Sequence, residues 1–254
     1  MKRSRKLLKK RRNQILEIVE KLGDVKVLDL AENLGVSPIT IRRDLLYLED
    51  RKLLSRYYGG VKVRQEEKLD EVDEIEICKQ KIAKYAASLV EDGDTIFINT
   101  SSTALAMIEY ITAKDVTVLT NNGNAINHQR SSSLTIILTG GELRHIKGTM
   151  VGDPALDSIN RTTAKKSFVG CSGLSVEIGM TTEFFNEVKI NEAMLTRVVG
   201  EAYILADHTK FCKKSSFTSC PIEKIKNIIT DDRISGEIIR QYEEKGIKIH
   251  QAES

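Results

Sequence analysis

Apolar residues recur at helical spacing in the first quarter of the chain and in short continuous runs in the rest. In the first quarter, Ile15, Val19 and Leu22 fall on one face of a predicted helix. A second, shorter helix is predicted at about residues 27–34, and Gly35 follows it as a stop signal. This spacing predicts a small helical unit at the start of the chain.

A third helix is predicted directly after the second. Ser37 is a good N-cap, and Pro38 suits the first helical position because its missing N–H and fixed φ cost nothing there. A turn of three or four residues that contains glycine makes two helices cross steeply, which is the helix-turn-helix arrangement. We therefore predict a helix-turn-helix motif from Val25 to Asp44.

The apolar stripe of the third helix determines which of its side chains point outward. Ile41, Leu45 and Leu48 share one face of this helix. At 100° per residue, Arg43 points almost directly away from that face, and Thr40 lies beside it. Arginine can make a forked contact with guanine or phosphate, and threonine offers a methyl and a hydroxyl group. The outward face therefore has the chemistry needed to contact bases in a DNA groove.

A short hairpin is predicted after the third helix. The segment LLSRYYGGVKVR alternates about a Gly59–Gly60 turn, with basic and phenolic side chains at its edges. In a winged helix-turn-helix such a hairpin lies along the phosphate backbone, although a hairpin that only closes a small core has the same pattern. Arg42, at the edge of the third helix, is a predicted phosphate contact. The residues that we predict to contact DNA are Ser37, Thr40, Arg42, Arg43, Tyr47, Arg56, Tyr58 and Lys62.

The pattern of apolar residues changes at about residue 94. Short apolar runs then alternate with helical patterns; the runs are TIFIN, VTVLT, LTIILT, KSFVG, AYILA, KNIIT and IKIH. Strands buried on both faces and separated by helices predict a parallel α/β sheet. The acidic stretch QEEKLDEVDEIEICKQ marks a boundary. We therefore predict a winged helix-turn-helix domain at 1–64, a linker at 65–80 and an α/β domain at 81–254.

Small polar residues and glycines follow five of the predicted strands, in the stretches NTSSTA, TNNGN, TGGEL, GCSGL and ADHTK. Ligands of open parallel sheets bind beyond the carboxyl ends of the strands. Hydroxyl, amide and backbone N–H groups at such positions suit a small phosphorylated polyol. Caps and turns use the same residue types, so any one of these loops has an ordinary structural explanation. The five loops together favour a ligand site.

Charge is distributed unevenly along the chain. The formal net charge is +3, but residues 1–64 hold 17 Lys or Arg against 8 Asp or Glu, whereas the remainder holds 22 against 28. Basic side chains near phosphates displace counterions, so this segregation favours a nucleic-acid partner over a solvated basic tail. The chain contains neither an apolar run of membrane-spanning length nor the pattern of a secretory signal. We therefore predict a cytoplasmic protein without a membrane partner.

The four cysteines are widely spaced and predict neither a disulfide framework nor a zinc site. A metal cluster of His208, Cys212 and Cys220 is an alternative, but the spacing fits three unrelated loop residues better. Dinucleotide and P-loop glycine motifs are both missing from the sequence. The sequence therefore predicts no cofactor, no metal and no catalytic constellation.

The stretch VLDLAENLGVSPITIRRDLLYLEDRKLLSRYYGG resembles the winged helix-turn-helix of the DeoR family of bacterial transcriptional regulators, including its S-x-x-T-I-R-R-D-L signature and the Y-G-G of the wing. The resemblance continues through DGDTIFI, VTVLTNN, TIILTGGEL, MVGDPAL, GMTTEFFNEVK and YILADHTKF, and covers about residues 10–235. It implies a C-terminal α/β sensor domain related in fold to ribose 5-phosphate isomerase. It also implies that a small phosphorylated sugar modulates affinity for double-stranded operator DNA, since most members repress catabolic operons.

The resemblance also assigns effector-binding positions, most of them at the strand ends. NTSSTA stands where the family commonly has D-A-G-T-T-T, so Asn99 replaces an acid and Ser101 replaces a glycine, and Ser172 replaces the acid of a later G-x-D-G. These departures predict a different effector or weaker binding. The predicted effector-binding residues are Asn99, Ser101, Ser102, Thr103, Thr120, Asn121, Asn122, Gly140, Gly141, Glu187, Lys189, Asp207 and Lys210.

Three functions remain compatible with the sequence. The favoured one is a sugar-phosphate-responsive repressor that is not an enzyme and acts as a homo-oligomer, a dimer or a tetramer. The second is a sugar-phosphate isomerase with a basic N-terminal appendage. The third is a structural DNA-binding protein with an inert C-terminal domain.

Substitution of the outward arginine tests the predicted DNA contact. We expect Arg43→Ala to abolish specific retention of operator DNA in a gel shift, because a base contact is lost, while the C-terminal domain stays folded. Lys62→Ala, a matched loss of charge on the wing, should instead weaken binding to all sequences alike and reduce the salt slope by about one unit. Undiminished specific binding by Arg43→Ala would rule out the assignment of this helix.

Overall fold

A computed structural model describes residues 2–38, 40–41, 44–45, 48, 54–57, 60–62, 66–128, 133–144 and 148–253. The chain divides into two compact units, Met1–Asp73 and Glu74–Ser254. Within the described residues, no helix is long and apolar enough to cross a membrane.

The first unit combines helices with a small antiparallel sheet. Its described elements are α1 (Lys2–Leu22), β1 (Asp24–Lys26), α2 (Val27–Asn33), β2 (Ser55–Tyr57) and β3 (Gly60–Lys62). The backbone is also helical at residues 38, 40, 41, 44, 45 and 48, which belong to the third helix of the predicted helix-turn-helix unit. In the sheet β3 lies between β1 and β2, and Val25 of β1 is opposite Val61 of β3. The predicted helix-turn-helix with its hairpin is therefore confirmed, and β1, too short to leave a pattern, is an addition to it.

The turn between the second and third helices has the chemistry that the sequence predicts. Gly35 follows α2 with a φ of 60°, a left-handed conformation that costs glycine little. The Ser37 hydroxyl accepts a hydrogen bond from the Thr40 backbone N–H at 3.3 Å, so Ser37 caps the next helix. Ser37 Oγ also lies 2.9 Å from Thr40 Oγ1. The two hydroxyls that we predict to contact DNA are therefore held together at this helix start.

The apolar stripe of the third helix faces inward. Ile41, Leu45 and Leu48 are all buried in the core of this unit, together with Ile15 and Val19 of α1. The expectation that Leu22 continues the α1 stripe is wrong. Its side chain is 61% exposed, because the chain turns directly after it and Val25 of β1 enters the core instead.

The second unit is built on a seven-stranded sheet. Its strands are β4 (Thr95–Ile98), β5 (Val116–Thr120), β6 (Leu134–Leu138), β9 (Ala164–Gly170), β12 (Val198–Leu205), β14 (Asn227–Asp231) and β15 (Lys248–Ala252). They lie in the order β15-β14-β12-β9-β4-β5-β6, and every pairing is parallel. Each of the seven apolar runs forms one of these strands, so the predicted parallel α/β domain is confirmed.

Both faces of this sheet are covered by apolar residues. Along β4, Ile96 and Ile98 belong to one buried cluster, and Phe97 belongs to a second cluster. Alternate residues of a strand point to opposite faces, so the two clusters lie on opposite sides of the sheet. This double burial explains why the strands appear in the sequence as continuous apolar runs.

Helices and smaller sheets flank the parallel sheet. The helices are α3 (Glu66–Ser88), α4 (Ser102–Ala106), α5 (Asp153–Asn160), α6 (Phe185–Thr196) and α7 (Gly236–Glu243). The short strands β7 (Glu142–Arg144) and β8 (Thr149–Val151) form one antiparallel pair. A second antiparallel sheet contains β10 (Gly173–Ser175), β11 (Gly179–Thr182) and β13 (Phe217–Cys220).

The acidic segment predicted as a linker is helical from Glu66 onward. It is part of α3, which continues to Ser88, where Ile82, Ala83 and Ala86 are fully buried. Its polar composition marks a boundary in the sequence, and the buried apolar residues described for this helix begin at Cys78. The domain limits 1–64 and 81–254 remain a prediction.

A buried carboxylate connects α1 to the third helix of the first unit. Asp44 is 1% exposed, and it accepts hydrogen bonds from Arg11 Nε at 2.6 Å and from Arg12 Nε at 2.9 Å. The two guanidinium groups balance the charge of the carboxylate, which would otherwise be costly to bury. Asp44 therefore belongs to the packing of this unit, although it stands inside the predicted DNA-contact signature.

Neutralising Asp44 should loosen the first unit. Asp44→Asn replaces one of the two accepting oxygens with an NH2 group, which can only donate, so one arginine loses its acceptor and we expect local stability to fall by about 1–3 kcal/mol. Hydrogen exchange of the full chain, followed by mass spectrometry, should show faster exchange in α1 and in the helix that carries Asp44. Glu32→Gln, an exposed matched change on α2, should shift exchange by less than about 0.5 kcal/mol. Equal protection in both variants would contradict a structural role for Asp44.

Candidate functional site

A cavity of about 400 Å³ opens beyond the carboxyl ends of the parallel strands. It borders β4 and β9, the neighbouring strands at which the strand order reverses direction. Such a switch point is where open α/β sheets bind ligands. The predicted effector-binding residues that line the cavity are Asn99, Ser101, Ser102, Thr103, Asn122, Glu187, Asp207 and Lys210.

Asn99 connects the ends of β4 and β9 through its side-chain amide. Its Oδ1 accepts hydrogen bonds from the Gly170 N–H at 3.0 Å and from the Ser101 N–H at 3.2 Å. Its Nδ2 donates to the Gly170 carbonyl at 2.9 Å and to Asn191 Oδ1 at 3.0 Å. Backbone N–H groups can only donate and the carbonyl can only accept, so the orientation of the amide is determined. An ionised aspartate could not make the two donated bonds.

Ser101 starts the helix that borders the cavity and also covers Gly170. Its hydroxyl accepts a hydrogen bond from the Ala104 N–H at 3.4 Å, as an N-cap does. A Cβ atom placed on Gly170 would overlap both Oγ and Cβ of Ser101. The side chain at position 101 therefore occupies space that a glycine there would leave open, and Gly170 has to lack a side chain because Ser101 has one.

Glu187 presents a carboxylate to the cavity from the first turn of α6. Oε2 accepts a hydrogen bond from Thr182 Oγ1 at 2.6 Å, and Oε1 lies 3.5 Å from Thr100 Oγ1. Glu187 is only 7% exposed. The Thr182 and Thr100 hydroxyl groups hold its carboxylate in place. Oε1 makes the longer and therefore weaker contact of the two.

The turn after β12 supplies an acid and a cation. Asp207 is 1% exposed, and its Oδ1 accepts a hydrogen bond from the Thr209 N–H at 3.0 Å. The Lys210 N–H donates to the Asp207 carbonyl at 2.9 Å, which closes the turn. Burial raises the pKa of the nearby Cys171 thiol to about 12, partly opposed by Lys210. Cys171 is therefore an uncharged thiol in the cavity wall at neutral pH.

Five predicted effector residues do not line the cavity, although the structure describes all of them. Thr120 is buried, and its hydroxyl accepts a hydrogen bond from the Asn122 N–H. Asn121 donates to the Met150 carbonyl. A Cβ on Gly141 would overlap the Val151 carbonyl oxygen, and its neighbour Gly140 has a left-handed φ of 72°. The fifth residue, Lys189, is exposed on α6. Thr120, Asn121, Gly140 and Gly141 therefore serve backbone turns and packing, and Lys189 lies on the surface.

Several lining residues were not among the predicted ones. They are Lys79, Thr100, Leu105, Asn124, Gly170, Cys171, Ser172, Thr182, Glu183 and Leu205. Asn124, Gly170, Cys171 and Ser172 belong to strand-end stretches that the sequence already pointed to. Lys79 and Thr182 lie in α3 and β11, outside those stretches. Sequence spacing carries no signal for these two, because only long-range packing brings them to the cavity.

The alternative cluster of His208, Cys212 and Cys220 does not form. Cys212 is exposed, whereas Cys220 is buried in β13. Among the described residues, the group of three potential metal ligands that includes His208 contains neither of these cysteines.

Comparisons with known proteins identify the chain. Residues 11–67 match the DeoR-like helix-turn-helix domain, and residues 76–232 match the DeoR C terminal sensor domain. The chain belongs to the DeoR family. The family resemblance inferred from the sequence is therefore confirmed.

Curated relatives of this DeoR-family chain align with it over most of its length. The chain is 33% identical over 232 residues to the "Uncharacterized HTH-type transcriptional regulator FruR" of Bacillus subtilis (strain 168), which covers 89% of this chain and 92% of that protein. It is 29% identical over 243 residues to the "Lactose phosphotransferase system repressor" of Staphylococcus aureus (strain NCTC 8325 / PS 47), which covers 91% and 96%. These relatives are transcriptional regulators and not enzymes. The chain is accordingly a DeoR-type transcriptional regulator, and the isomerase alternative is set aside.

Solved structures with a similar fold include two kinds of protein. A D-ribose-5-phosphate isomerase in complex with phospho-erythronic acid is 17% identical, covers 52% of each chain and has a TM-score of 0.38. The eIF2B beta of Chaetomium thermophilum is 14% identical, covers 70% of this chain and 57% of that one, and has a TM-score of 0.44. Scores of this size support no argument about function.

The predicted DNA contacts of this DeoR-family regulator are described only in part. Ser37 and Thr40 lie at the start of the third helix. Arg56 is in β2 and Lys62 is in β3, where only the backbone is described. The remaining predicted contacts lie outside the described residues; they are Arg42, Arg43, Tyr47 and Tyr58. These assignments stay predictions from the sequence.

The contact between Ser101 and Gly170 generates a test of the cavity wall. Gly170→Ala should destabilise the second unit by about 1–3 kcal/mol, because the added methyl group is forced into Ser101. Ser101→Gly removes both overlapping atoms, so the double variant Ser101→Gly/Gly170→Ala should recover most of that loss in thermal unfolding of the full chain.

Ser101→Ala is the matched control for this pair. It removes the hydroxyl but keeps Cβ, which alone overlaps the methyl group of Ala at position 170, so it should not rescue Gly170→Ala. Equal rescue by Ala and Gly at position 101 would show that the hydroxyl, and not the Cβ, determines the fit.

Proposed function

We propose that this DeoR-type regulator represses a carbohydrate catabolic operon and that a small phosphorylated sugar, bound in the cavity at the strand ends, relieves repression. The observation that carries the proposal is the cavity itself. Polar residues from separate strand ends converge on it, at the switch point of the sheet.

The lining of the cavity suits an anionic polyol. Two cations line the cavity and can pair with a phosphate group: Lys210, and Lys79, whose Nζ also lies 3.6 Å from Glu76 Oε2. The Ser101 and Ser102 hydroxyls can donate to the same group. Carboxylates from Glu187 and Asp207 accept hydrogen bonds, which is what sugar hydroxyl groups supply. A volume of about 400 Å³ is at the small end of the range for ligand pockets. We therefore infer a ligand of sugar-phosphate size.

Repression and its relief follow from linkage. An effector can shift the regulator between arrangements that bind DNA well and poorly only by the difference in its affinity for the two. Recognition of paired half-sites on double-stranded operator DNA requires a homo-oligomer, a dimer or a tetramer, because each chain supplies one helix-turn-helix. The Staphylococcus aureus relative is named a lactose phosphotransferase system repressor, which supports the same kind of target.

A gel shift on the DNA upstream of the regulator's own gene tests the DNA half of the proposal. The full-length protein should retain this DNA at low salt, and one member of a panel of sugar phosphates should release it. The matching unphosphorylated sugar is the control and should leave the complex intact. Release by every anion alike, inorganic phosphate included, would argue against a specific effector.

Substitution of Lys210 tests the effector half. Hydrogen bonds to charged groups contribute about 1.5–3 kcal/mol, so Lys210→Ala should weaken the effector by roughly 10- to 100-fold. The readout is the thermal stabilisation of the full chain by the active sugar phosphate. Lys213→Ala removes the same charge from an exposed position three residues away and should keep the full stabilisation. If both variants responded like the natural protein, the cavity would not be the effector site.

A further inference from the structure

A cysteine, a histidine and an aspartate that the proposed function does not use meet in the second unit. Cys78 lies in α3, His208 in the turn after β12, and Asp231 at the end of β14. Their potential ligand atoms all lie within 4.8 Å of one another. We propose that Cys78, His208 and Asp231 form a binding site for Zn²⁺.

The distances between these atoms suit a single metal ion. Zinc lies at about 2.3 Å from sulfur and about 2.0–2.2 Å from nitrogen and oxygen, so ligand atoms in a tetrahedral site are roughly 3.5 Å apart. His208 Nδ1 is already 3.0 Å from Asp231 Oδ1. The group therefore needs a contraction of little more than about 1 Å at its widest separation to close around zinc.

The donor set points to zinc among the common divalent cations. A thiolate, an imidazole and a carboxylate are all zinc ligands, whereas Mg²⁺ and Ca²⁺ prefer oxygen ligands alone. Three protein ligands leave the fourth tetrahedral position for a water molecule. Zinc binding displaces the thiol proton of Cys78, and the ring proton that His208 shares with Asp231 moves to the other ring nitrogen, so one proton is released.

The Asp231 carboxylate is oriented before any metal binds. Oδ2 accepts a hydrogen bond from the His208 N–H at 2.8 Å, and Oδ1 accepts one from the Arg233 N–H at 3.0 Å. These two backbone donors hold the carboxylate beside the His208 ring. Donors of this kind act as the outer shell that orients ligands in metal sites.

The surroundings of Asp231 also favour a cation. Its side chain is fully buried, and a buried carboxylate requires a balancing charge. The cationic side chains nearby pair with other acids: Lys81 with Asp232 at 2.8 Å, and Arg233 with Glu74 at 2.7 Å. Among the described residues, the His208 ring is the one side chain in hydrogen-bond contact with the Asp231 carboxylate. A zinc ion would bring a positive charge into direct contact with this carboxylate.

An ordinary structural role is the competing explanation. Asp231 would then only anchor the turn that begins at His208, and Cys78 would be a small apolar residue in the core. That explanation accounts for the His208–Asp231 contact, but it does not explain why the Cys78 sulfur lies within 4.8 Å of the potential ligand atoms of both residues. It predicts that the thiol can be replaced without any change in metal affinity.

The zinc site adjoins the cavity without being part of it. Cys78 precedes Lys79, and His208 follows Asp207; both neighbours line the cavity. Bound zinc would fasten α3 to this turn and so hold two walls of the cavity in place. The zinc site itself does not depend on the proposed effector, since its ligands are not cavity-lining residues.

Cobalt titration of the reduced, metal-free, full-length protein tests the site directly. We expect one Co²⁺ per chain, with the visible bands of tetrahedral Co²⁺ and a near-ultraviolet charge-transfer band from a thiolate ligand, both abolished by an equivalent of Zn²⁺. Cys78→Ser should lose the charge-transfer band. The matched control Cys212→Ser, which changes an exposed cysteine, should keep it.

A second variant keeps the test decisive if Cys78→Ser does not fold. His208→Gln changes a half-buried side chain and should retain the thiolate band while weakening Co²⁺ binding by roughly 10-fold or more, as the loss of even an outer-shell group does. Absence of stoichiometric Co²⁺ binding by the natural protein, or a thiolate band that survives Cys78→Ser, would overturn the proposal. Neither DNA nor sugar is present in this experiment, so its outcome is independent of the proposed function.

Discussion

The geometry of the cavity depends on one side-chain amide. Asn99 accepts hydrogen bonds from two backbone N–H groups and donates to a backbone carbonyl and to Asn191. These bonds join the end of β4 to the end of β9 and fix the start of the helix that Ser101 caps. Because an ionised aspartate could accept two of these bonds but could not donate the other two, asparagine at this position is matched to its surroundings and is not an isolated loss of charge.

A second difference from the common family pattern, the serine at position 101, is also accommodated by a residue on a neighbouring strand. Ser101 places a side chain where the family commonly has glycine, and Gly170 provides the space for it from the neighbouring strand. The two positions are 69 residues apart in the chain, so their fit depends on the parallel pairing of β4 with β9. The wall of this cavity therefore differs in shape as well as in charge from one with an acid at position 99 and a glycine at position 101.

Charge has different roles in the two units. In the first unit the carboxylate of Asp44 is buried between Arg11 and Arg12, so part of the basic charge that suggested DNA binding serves packing. In the second unit the buried Asp231 is hydrogen-bonded to the ring of a half-buried histidine, His208. The cavity is lined by side chains of both signs, two lysines and three carboxylates. Net charge by segment therefore indicates the class of partner but does not identify the side chains that meet it.

The sequence by itself determined the elements whose signals are local. Seven strands appear as apolar runs because both faces of the sheet are covered, and the Ser37 cap and the stripe of Ile41, Leu45 and Leu48 follow from helical geometry. Only the tertiary structure decided which polar residues face the cavity. It brought in Lys79 and Thr182, left Lys189 exposed, and placed Cys78 beside His208. These outcomes depend on contacts between residues far apart in the chain, which periodicity cannot encode.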